Sequence, residues 1–119
     1  MAHARETAPR ECCGLLFGDG DVADRLVRGR NVHPTPETRY EIDPKQLREA
    51  LASDDSDRSL VAIYHSHPRT EPQPSDFDRA NAFWPEQVYV LTSVLVKPDQ
   101  VFAFRIDKGK TTPIDVVLT

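Results

Sequence analysis

Two histidines separated by one residue stand at the end of an apolar run in the middle of the sequence. The run covers residues 60–64, and His65 and His67 follow it directly. Such a run is typical of a buried central strand, in which side chains two residues apart point to the same side. Both imidazoles can therefore bind one metal ion. An H-x-H pair alone remains weak evidence, because histidines also serve as surface or hydrogen-bonding residues.

A serine and an aspartate three residues apart follow the histidines. Ser75 begins a helix predicted to run to about residue 83, so Ser75 and Asp78 lie on one side of its first turn. If the proline-containing loop 68–74 folds the helix start against the strand end, Asp78 gives a third ligand and leaves one tetrahedral position open, as in catalytic zinc sites. Alternatively, Ser75 and Asp78 form only a helix N-terminal cap. A cap and a catalytic role are compatible.

Hydrolysis of an amide bond also needs a base close to the metal, and Glu11 is suitable by residue type. It leads directly into the apolar run 12–17, which is predicted to be the first strand. Glu11 could also mark only the solvent edge of that strand, and spacing does not exclude this alternative.

The order of these residues resembles the signature of the JAMM, or MPN-plus, metallopeptidase family. The matching positions are Glu11, the segment Tyr-His-Ser-His-Pro at 64–68, Ser75 and Asp78. Residues 9–18 are also similar to the first block of the small prokaryotic members, and the resemblance extends from near the N-terminus to the end of the chain.

The resemblance implies one zinc ion per chain held by His65, His67 and Asp78, with Glu11 as general acid and base and Ser75 stabilising the oxyanion. It implies an α+β fold of layered type, in which helices flank a mixed, mostly antiparallel sheet, as in JAMM/MPN (cytidine deaminase-like) domains. The implied activity is hydrolysis of peptide or isopeptide bonds at the C-terminal tail of a ubiquitin-like or sulfur-carrier protein. The alternatives are a non-catalytic MPN-type protein-binding module and a cell-wall or phage-tail peptide hydrolase.

The size and charge of the chain are consistent with this interpretation. Its 119 residues predict a single domain, 1–119, and 39% hydrophobic with 29% charged residues favours a globular chain. The net charge of −4 and the lack of a long basic run argue against nucleic acid as a partner, and no apolar stretch is long enough to span a membrane. Cys12 and Cys13 are adjacent, so they are predicted to be reduced and buried in a cytoplasmic protein.

The remaining elements follow from apolar periodicity and turn residues. We expect a helix near 3–10, a hairpin whose turn lies at 18–20, a strand at 38–42, a helix from 43 or 44 to about 52, a strand hairpin at 87–94 and 100–106, and an edge strand at 114–118. His3 and His33 are assigned no role.

Compared with the family pattern, the N-terminus looks abbreviated, because members usually begin with an additional strand and a longer first helix. This difference would leave apolar surface partly uncovered and favour self-association. An extended substrate tail that ends in small residues could pair its backbone with a strand edge beside the metal.

Overall fold

The computed structural model describes residues 2–19, 22–52, 59–68, 73–80, 88–93 and 101–115. Nine elements lie in these ranges: α1 (Ala2–Thr7), β1 (Cys13–Asp19), β2 (Val22–Gly29), α2 (Pro44–Ala52), β3 (Ser59–His67), α3 (Asp76–Ala80), β4 (Val88–Ser93), β5 (Val101–Asp107) and β6 (Lys110–Ile114). Within the described ranges, no helix combines the length and apolar character that crossing a bilayer requires.

The six strands form one sheet in the order β2-β1-β3-β4-β5-β6. All neighbours are antiparallel except β3 and β4, which are parallel. The predicted mixed, mostly antiparallel sheet is therefore confirmed. A parallel pair requires a crossover connection, and α3 lies in the chain between these two strands. The crossover brings the end of β3 and the start of α3, which carry the candidate ligands, to the same part of the molecule.

Apolar residues on the two faces of the sheet form two separate cores. On one face a small cluster joins α1 to the sheet and contains Ala4, Cys12 and Tyr64. On the other face a larger cluster built on Leu15, Phe17, Ile63, Tyr89, Leu91, Phe104 and Ile106 packs against Leu47 and Ala50 of α2. The alternation of side chains along β1 and β3 thus gives a helix-sheet-helix arrangement.

Most of the predicted elements are present. The helix near 3–10, the helix from 44 to 52 and the antiparallel pair β4–β5 are confirmed. The hairpin of β1 with β2 is also confirmed, but Gly18 and Asp19, which were predicted to be in its turn, lie in β1 and pair with β2. The apolar run 60–64 lies in β3, which is a central strand and continues through both histidines. Both cysteines are free and buried, as predicted.

The predicted strand at 38–42 is wrong. Within this segment only Ile42 forms a single antiparallel bridge, to Asn31. The side chain of Asn31 bonds to backbone groups that a strand would use for pairing. Its Oδ1 accepts from Glu41 N at 3.1 Å, and its Nδ2 donates to Arg39 O at 2.9 Å. Side-chain hydrogen bonds of this kind compete with regular sheet formation.

The last strand of the sheet lies earlier in the chain than predicted. The edge strand is β6 at Lys110–Ile114, earlier than the predicted 114–118, of which residues 116–118 lie outside the described ranges. Lys108 and Gly109 both have positive φ, 52° and 80°, which is the geometry of a two-residue hairpin turn. The third helix begins at Asp76, and its predicted part beyond residue 80 also lies outside the described ranges.

The strand that carries the two histidines has no free edge within the described residues. β3 is paired on one side with β1, through Cys13 and His65, and on the other with β4, through His67 and Ser93. The two outer strands of the sheet are β2 and β6. A free edge for backbone pairing with a substrate therefore lies on β2 or β6 in the described part of the sheet, and pairing beside the metal stays a prediction.

Candidate metal centre and active site

Two imidazoles from β3 and one carboxylate from α3 converge on a single point. His65 Nε2 lies 3.2 Å from His67 Nε2, and Asp78 Oδ2 lies 3.1 Å and 3.0 Å from these two nitrogens. The three side chains are buried, with residue exposures of 1%, 4% and 7%. The structure therefore brings together the three residues that the sequence predicts as metal ligands.

The spacing of the three atoms suits a small divalent cation. Ligand atoms about 2.0 Å from a tetrahedral ion are separated from one another by about 3.3 Å. The observed separations of 3.0–3.2 Å are close to this value. Two nitrogens and one oxygen are also donors that zinc accepts, and three protein ligands leave a fourth position free for catalysis. The residues present thus fit the implied metal.

The protonation states of these groups favour metal binding. Burial, which outweighs the effect of the neighbouring Asp78 carboxylate, lowers the pKa of His65. Burial alone would raise the pKa of Asp78, but hydrogen bonds with His65 and His67 hold it well below its usual value. A neutral imidazole and an ionised carboxylate are the forms that bind a metal.

The orientation of Asp78 is determined within its own helical turn. Ser75 N donates to Asp78 Oδ2 at 2.9 Å, and Asp78 N donates to Ser75 Oγ at 3.1 Å. This reciprocal pair is a capping box, so the cap expected as one interpretation of these residues is present. Ser75 is exposed, and its hydroxyl proton is not used by the bond that its oxygen accepts from Asp78. Its role towards an oxyanion remains a prediction.

Glu11 lies next to the imidazoles and is buried. One carboxylate oxygen of Glu11 and one ring nitrogen each of His65 and His67 all lie within 4.8 Å of one another, and together they form a group able to hold a metal ion. The residue is 4% exposed, so the alternative that it marks the solvent edge of the strand is wrong. Its Oε1 has no hydrogen-bond partner among the described residues.

The surroundings of Glu11 change its acidity. Burial raises the pKa of Glu11 to about 7, with a further contribution from the Asp78 carboxylate and opposition from His67. A carboxyl group with a pKa near neutral can accept and return a proton at physiological pH. Proton transfer is thus chemically accessible to Glu11 beside the candidate metal ligands.

The sequence did not reveal Tyr40 as part of the site. Its ring stacks on the imidazole of His65, with centroids 4.2 Å apart and planes inclined by 21°. The segment that carries it was predicted as a strand, and no motif distinguishes this tyrosine from a core residue. His33, which was assigned no role, packs edge-on against Phe77 with centroids 5.4 Å apart.

A cavity of about 470 Å³ adjoins the candidate ligand Asp78 on the α2 side of the sheet. Asp78, Tyr40 and Phe77 line it near the site, and most of its other lining residues are apolar: Leu15, Ile42, Pro44, Leu47, Ile63 and Tyr89, with the polar His33 and Glu41. One candidate ligand, Asp78, therefore borders a mostly apolar cavity of the size of a small-molecule or side-chain pocket.

The family model for prokaryotic homologs of the JAB domain matches residues 1–107. The chain belongs to this prokaryotic JAB family. The match covers all five candidate site residues, and it confirms the resemblance to JAMM metallopeptidases.

Curated relatives carry names of peptidases that act on protein conjugates. The chain is 41% identical over 104 residues to a desampylase of Haloferax volcanii, covering 78% of this chain and 72% of that protein. It is 38% identical over 117 residues to a probable TtuB-protein conjugate cleaving protease of Thermus thermophilus, with coverages of 98% and 75%. A CysO-cysteine peptidase of Mycobacterium tuberculosis is 37% identical over 123 residues, with coverages of 98% and 84%. The prediction of a JAMM-type peptidase is confirmed by these relatives.

Solved structures share the fold. A protein of Desulfitobacterium hafniense, determined in solution, superimposes with a TM-score of 0.87 at 28% identity, covering 99% of this chain and 84% of that one. A JAB1/MPN domain protein from Archaeoglobus fulgidus gives a TM-score of 0.66 at 19% identity, with coverages of 98% and 89%. The second likeness concerns the fold alone, and it confirms the predicted JAMM/MPN architecture.

Proposed function

We propose that this chain is a zinc-dependent peptidase that cleaves peptide or isopeptide bonds at the C-terminal tail of a ubiquitin-like or sulfur-carrier protein. The observation that carries the proposal is the convergence of His65, His67 and Asp78 to within 3.2 Å of one another, beside the buried Glu11. A structural zinc site is usually closed by four protein ligands, whereas catalytic sites keep one position open.

In this proposal His65, His67 and Asp78 hold the zinc ion. When bound, zinc supplies Lewis acidity, which brings the pKa of water from about 15.7 towards roughly 7 and polarises a substrate carbonyl. The ligand set needs little rearrangement for this purpose, because the capping box already orients Asp78 and the sheet fixes both imidazoles on β3.

Glu11 transfers the proton. Its carboxylate removes a proton from the attacking water and returns it to the amine that leaves when the amide bond breaks. Its pKa of about 7, raised mainly by burial, lets the same group act as base and then as acid near neutral pH. Glu11 Oε1 has no other partner among the described residues, so it is available for this exchange.

Ser75 is assigned the stabilisation of the oxyanion. The backbone N–H of Asp78 already occupies an acceptor position on its hydroxyl oxygen, which leaves the hydroxyl proton to be donated. A donor directed at developing negative charge lowers the barrier of acyl transfer. The exposed position of Ser75 is compatible with contact to a substrate.

The substrate class is supported by the names of the relatives. The proteins from Thermus and Mycobacterium are named for cleaving TtuB-protein conjugates and for a CysO-cysteine peptidase activity. The free, buried thiols of Cys12 and Cys13 fit a reducing compartment, and the proposal therefore places the activity in the cytoplasm.

The test uses zinc-loaded protein and a ubiquitin-like or sulfur-carrier protein whose C-terminal glycine carries an amide-linked amino acid. Intact mass measures release of the amino acid with time. We expect cleavage that stops when a chelator removes zinc and returns when zinc is added. E11Q should keep one zinc per chain and lose at least about 100-fold in turnover. H67A should lose zinc, because it removes a ligand.

The exposed Glu49 of α2 provides a matched control, and E49Q should retain wild-type turnover. Turnover of E11Q equal to wild type would contradict the assignment of the base. Zinc bound without any cleavage of the conjugates would indicate a non-catalytic binding module. Cleavage of cell-wall peptides in place of the conjugates would indicate the peptide-hydrolase alternative.

A further inference from the structure

The side chain of Asn31 forms an unusually complete set of hydrogen bonds to backbone atoms. Its Nδ2 donates to Glu11 O at 3.0 Å and to Arg39 O at 2.9 Å, with a longer contact of 3.4 Å to Pro36 O. Its Oδ1 accepts from His33 N at 3.0 Å and from Glu41 N at 3.1 Å. An amide has two donor hydrogens and two acceptor positions, so all of its hydrogen-bonding capacity is used.

These bonds join two distant parts of the chain at the active site. Glu11 is held on both sides of its backbone, because its N–H donates to Pro36 O at 2.6 Å and its carbonyl accepts from Asn31. We call residues 31–42 the covering loop. Its backbone is closed by Val32 N donating to Glu41 O at 2.9 Å and by the bridge from Asn31 to Ile42.

The same side chain also fixes the residues on either side of Tyr40. Arg39 O and Glu41 N both bond to Asn31, and the Tyr40 ring between them stacks on His65. One amide thus restrains the backbone of the candidate base and the backbone of the residue that covers a candidate metal ligand. The backbone of His65 and His67, in contrast, is held by the pairing of β3 with β1 and β4.

We infer that Asn31 is a positioning residue for the reaction: it fastens the covering loop to Glu11 and thereby fixes where the Glu11 carboxylate lies relative to His65 and His67. The inference deepens the proposed function and rests on it for the role of Glu11. Asn31 itself touches no candidate ligand or reacting atom in this scheme. Its contribution is geometric, and a misplacement of about 1 Å can cost roughly 100-fold in rate.

The variant N31D removes the hydrogen bonds that Asn31 donates and keeps oxygen atoms that can accept the others. A carboxylate has nearly the same shape, but it lacks the hydrogens donated to Glu11 O and Arg39 O and has only acceptor oxygens. The variant N31A removes the whole network. If N31A does not fold, N31D, which preserves the volume of the side chain, decides the question.

The matched control is Gln46, another side-chain amide that bonds to backbone atoms. Its Oε1 accepts from Arg30 N at 2.8 Å and its Nε2 donates to Arg28 O at 2.9 Å. Gln46 lies on α2 close to Asn31 in space but bonds neither to Glu11 nor to the covering loop. Q46A therefore removes two comparable hydrogen bonds without releasing the base.

The experiment measures kcat and KM of the zinc-loaded variants, their zinc content, and the exchange rate of the Glu11 backbone amide by NMR. We expect N31D and N31A to bind one zinc and to lose about 10- to 100-fold in kcat, with KM changed less than about threefold. The Glu11 amide should exchange at least about tenfold faster in both, because the bond to Pro36 O opens when the loop is released. Q46A should leave kcat and the Glu11 amide unchanged.

Wild-type kcat together with wild-type exchange of the Glu11 amide in N31D would overturn the inference. A loss of kcat in N31D no greater than that in Q46A would also overturn it, because the effect would then be general to the fold. E11Q in the same assay separates the two proposals. If E11Q is as active as wild type, the proposed function fails, whereas the amide exchange of Glu11 still tests whether Asn31 holds its backbone.

Discussion

Replacing Glu11 by Gln should stabilise the metal-free protein at pH 8 while it removes catalysis. Burial raises the pKa of this carboxyl to about 7, from 4.5 for an exposed glutamate. The folded state therefore binds the proton more tightly than the unfolded state does. The contribution of this carboxyl to the free energy of unfolding is fully present below pH 4.5. It falls as the pH rises towards 7 and is lost above pH 7.

The size of the effect follows from the two pKa values. One pK unit corresponds to 1.36 kcal/mol, so the difference between about 7 and 4.5 gives an upper limit of about 3 kcal/mol. Relaxation of the folded protein around the charge reduces this limit, and we expect roughly 2 kcal/mol. A glutamine carries no charge at either pH, so E11Q should lack this part of the pH dependence.

The assay is urea denaturation of metal-free wild type, E11Q and E49Q at pH 5 and pH 8, followed by circular dichroism. Between pH 5 and pH 8 the free energy of unfolding of wild type should fall relative to E11Q by roughly 2 kcal/mol. E49Q, a change at an exposed glutamate of α2, should behave as wild type. Parallel pH dependences of wild type and E11Q would refute the claim that burial raises the pKa of Glu11.

Two further predictions concern the sheet next to the site. G14A should lower the free energy of unfolding in urea by about 1–3 kcal/mol, because an added Cβ would collide with the Tyr64 ring that lies over this glycine; unchanged stability would show that the ring moves aside freely. The thiols of Cys12 and Cys13 are 2% and 0% exposed, and burial raises their pKa values. Both should therefore react with iodoacetamide at pH 8 about 100-fold more slowly in the native than in the unfolded protein, and mass spectrometry follows the reaction. Equal rates would contradict their burial.

The parts of the fold that the sequence predicts best are those in which one local pattern decides the structure. The apolar run before His65 predicts β3, because a continuous apolar run is typical of a strand that is buried on both faces. Pro44 predicts the start of α2. For the candidate metal ligands, local patterns predict only the two separate parts, an H-x-H pair on one side of a strand and an S-x-x-D helix start, and the family resemblance was needed to join them in one site.

The parts that could not be predicted depend on long-range contacts through side chains. The sequence around Glu11 is compatible with an exposed strand end, whereas in the structure the residue is 4% exposed and its backbone is bonded to Asn31 and Pro36 of the covering loop, 20 and 25 residues later in the chain. The strand predicted at 38–42 fails for the same reason, because Asn31 takes up backbone groups there. A single asparagine in a polar segment gives no sequence signal of this role.

The capping box at the start of α3 has a consequence for protein engineering. Asp78 is oriented by Ser75 from within one helical turn, and the backbone of the two histidines is held by the pairing of β3 with β1 and β4. Each part of the candidate ligand set is thus held by its own element. A variant library aimed at a different conjugate should therefore leave Ser75, Asp78 and β3 unchanged.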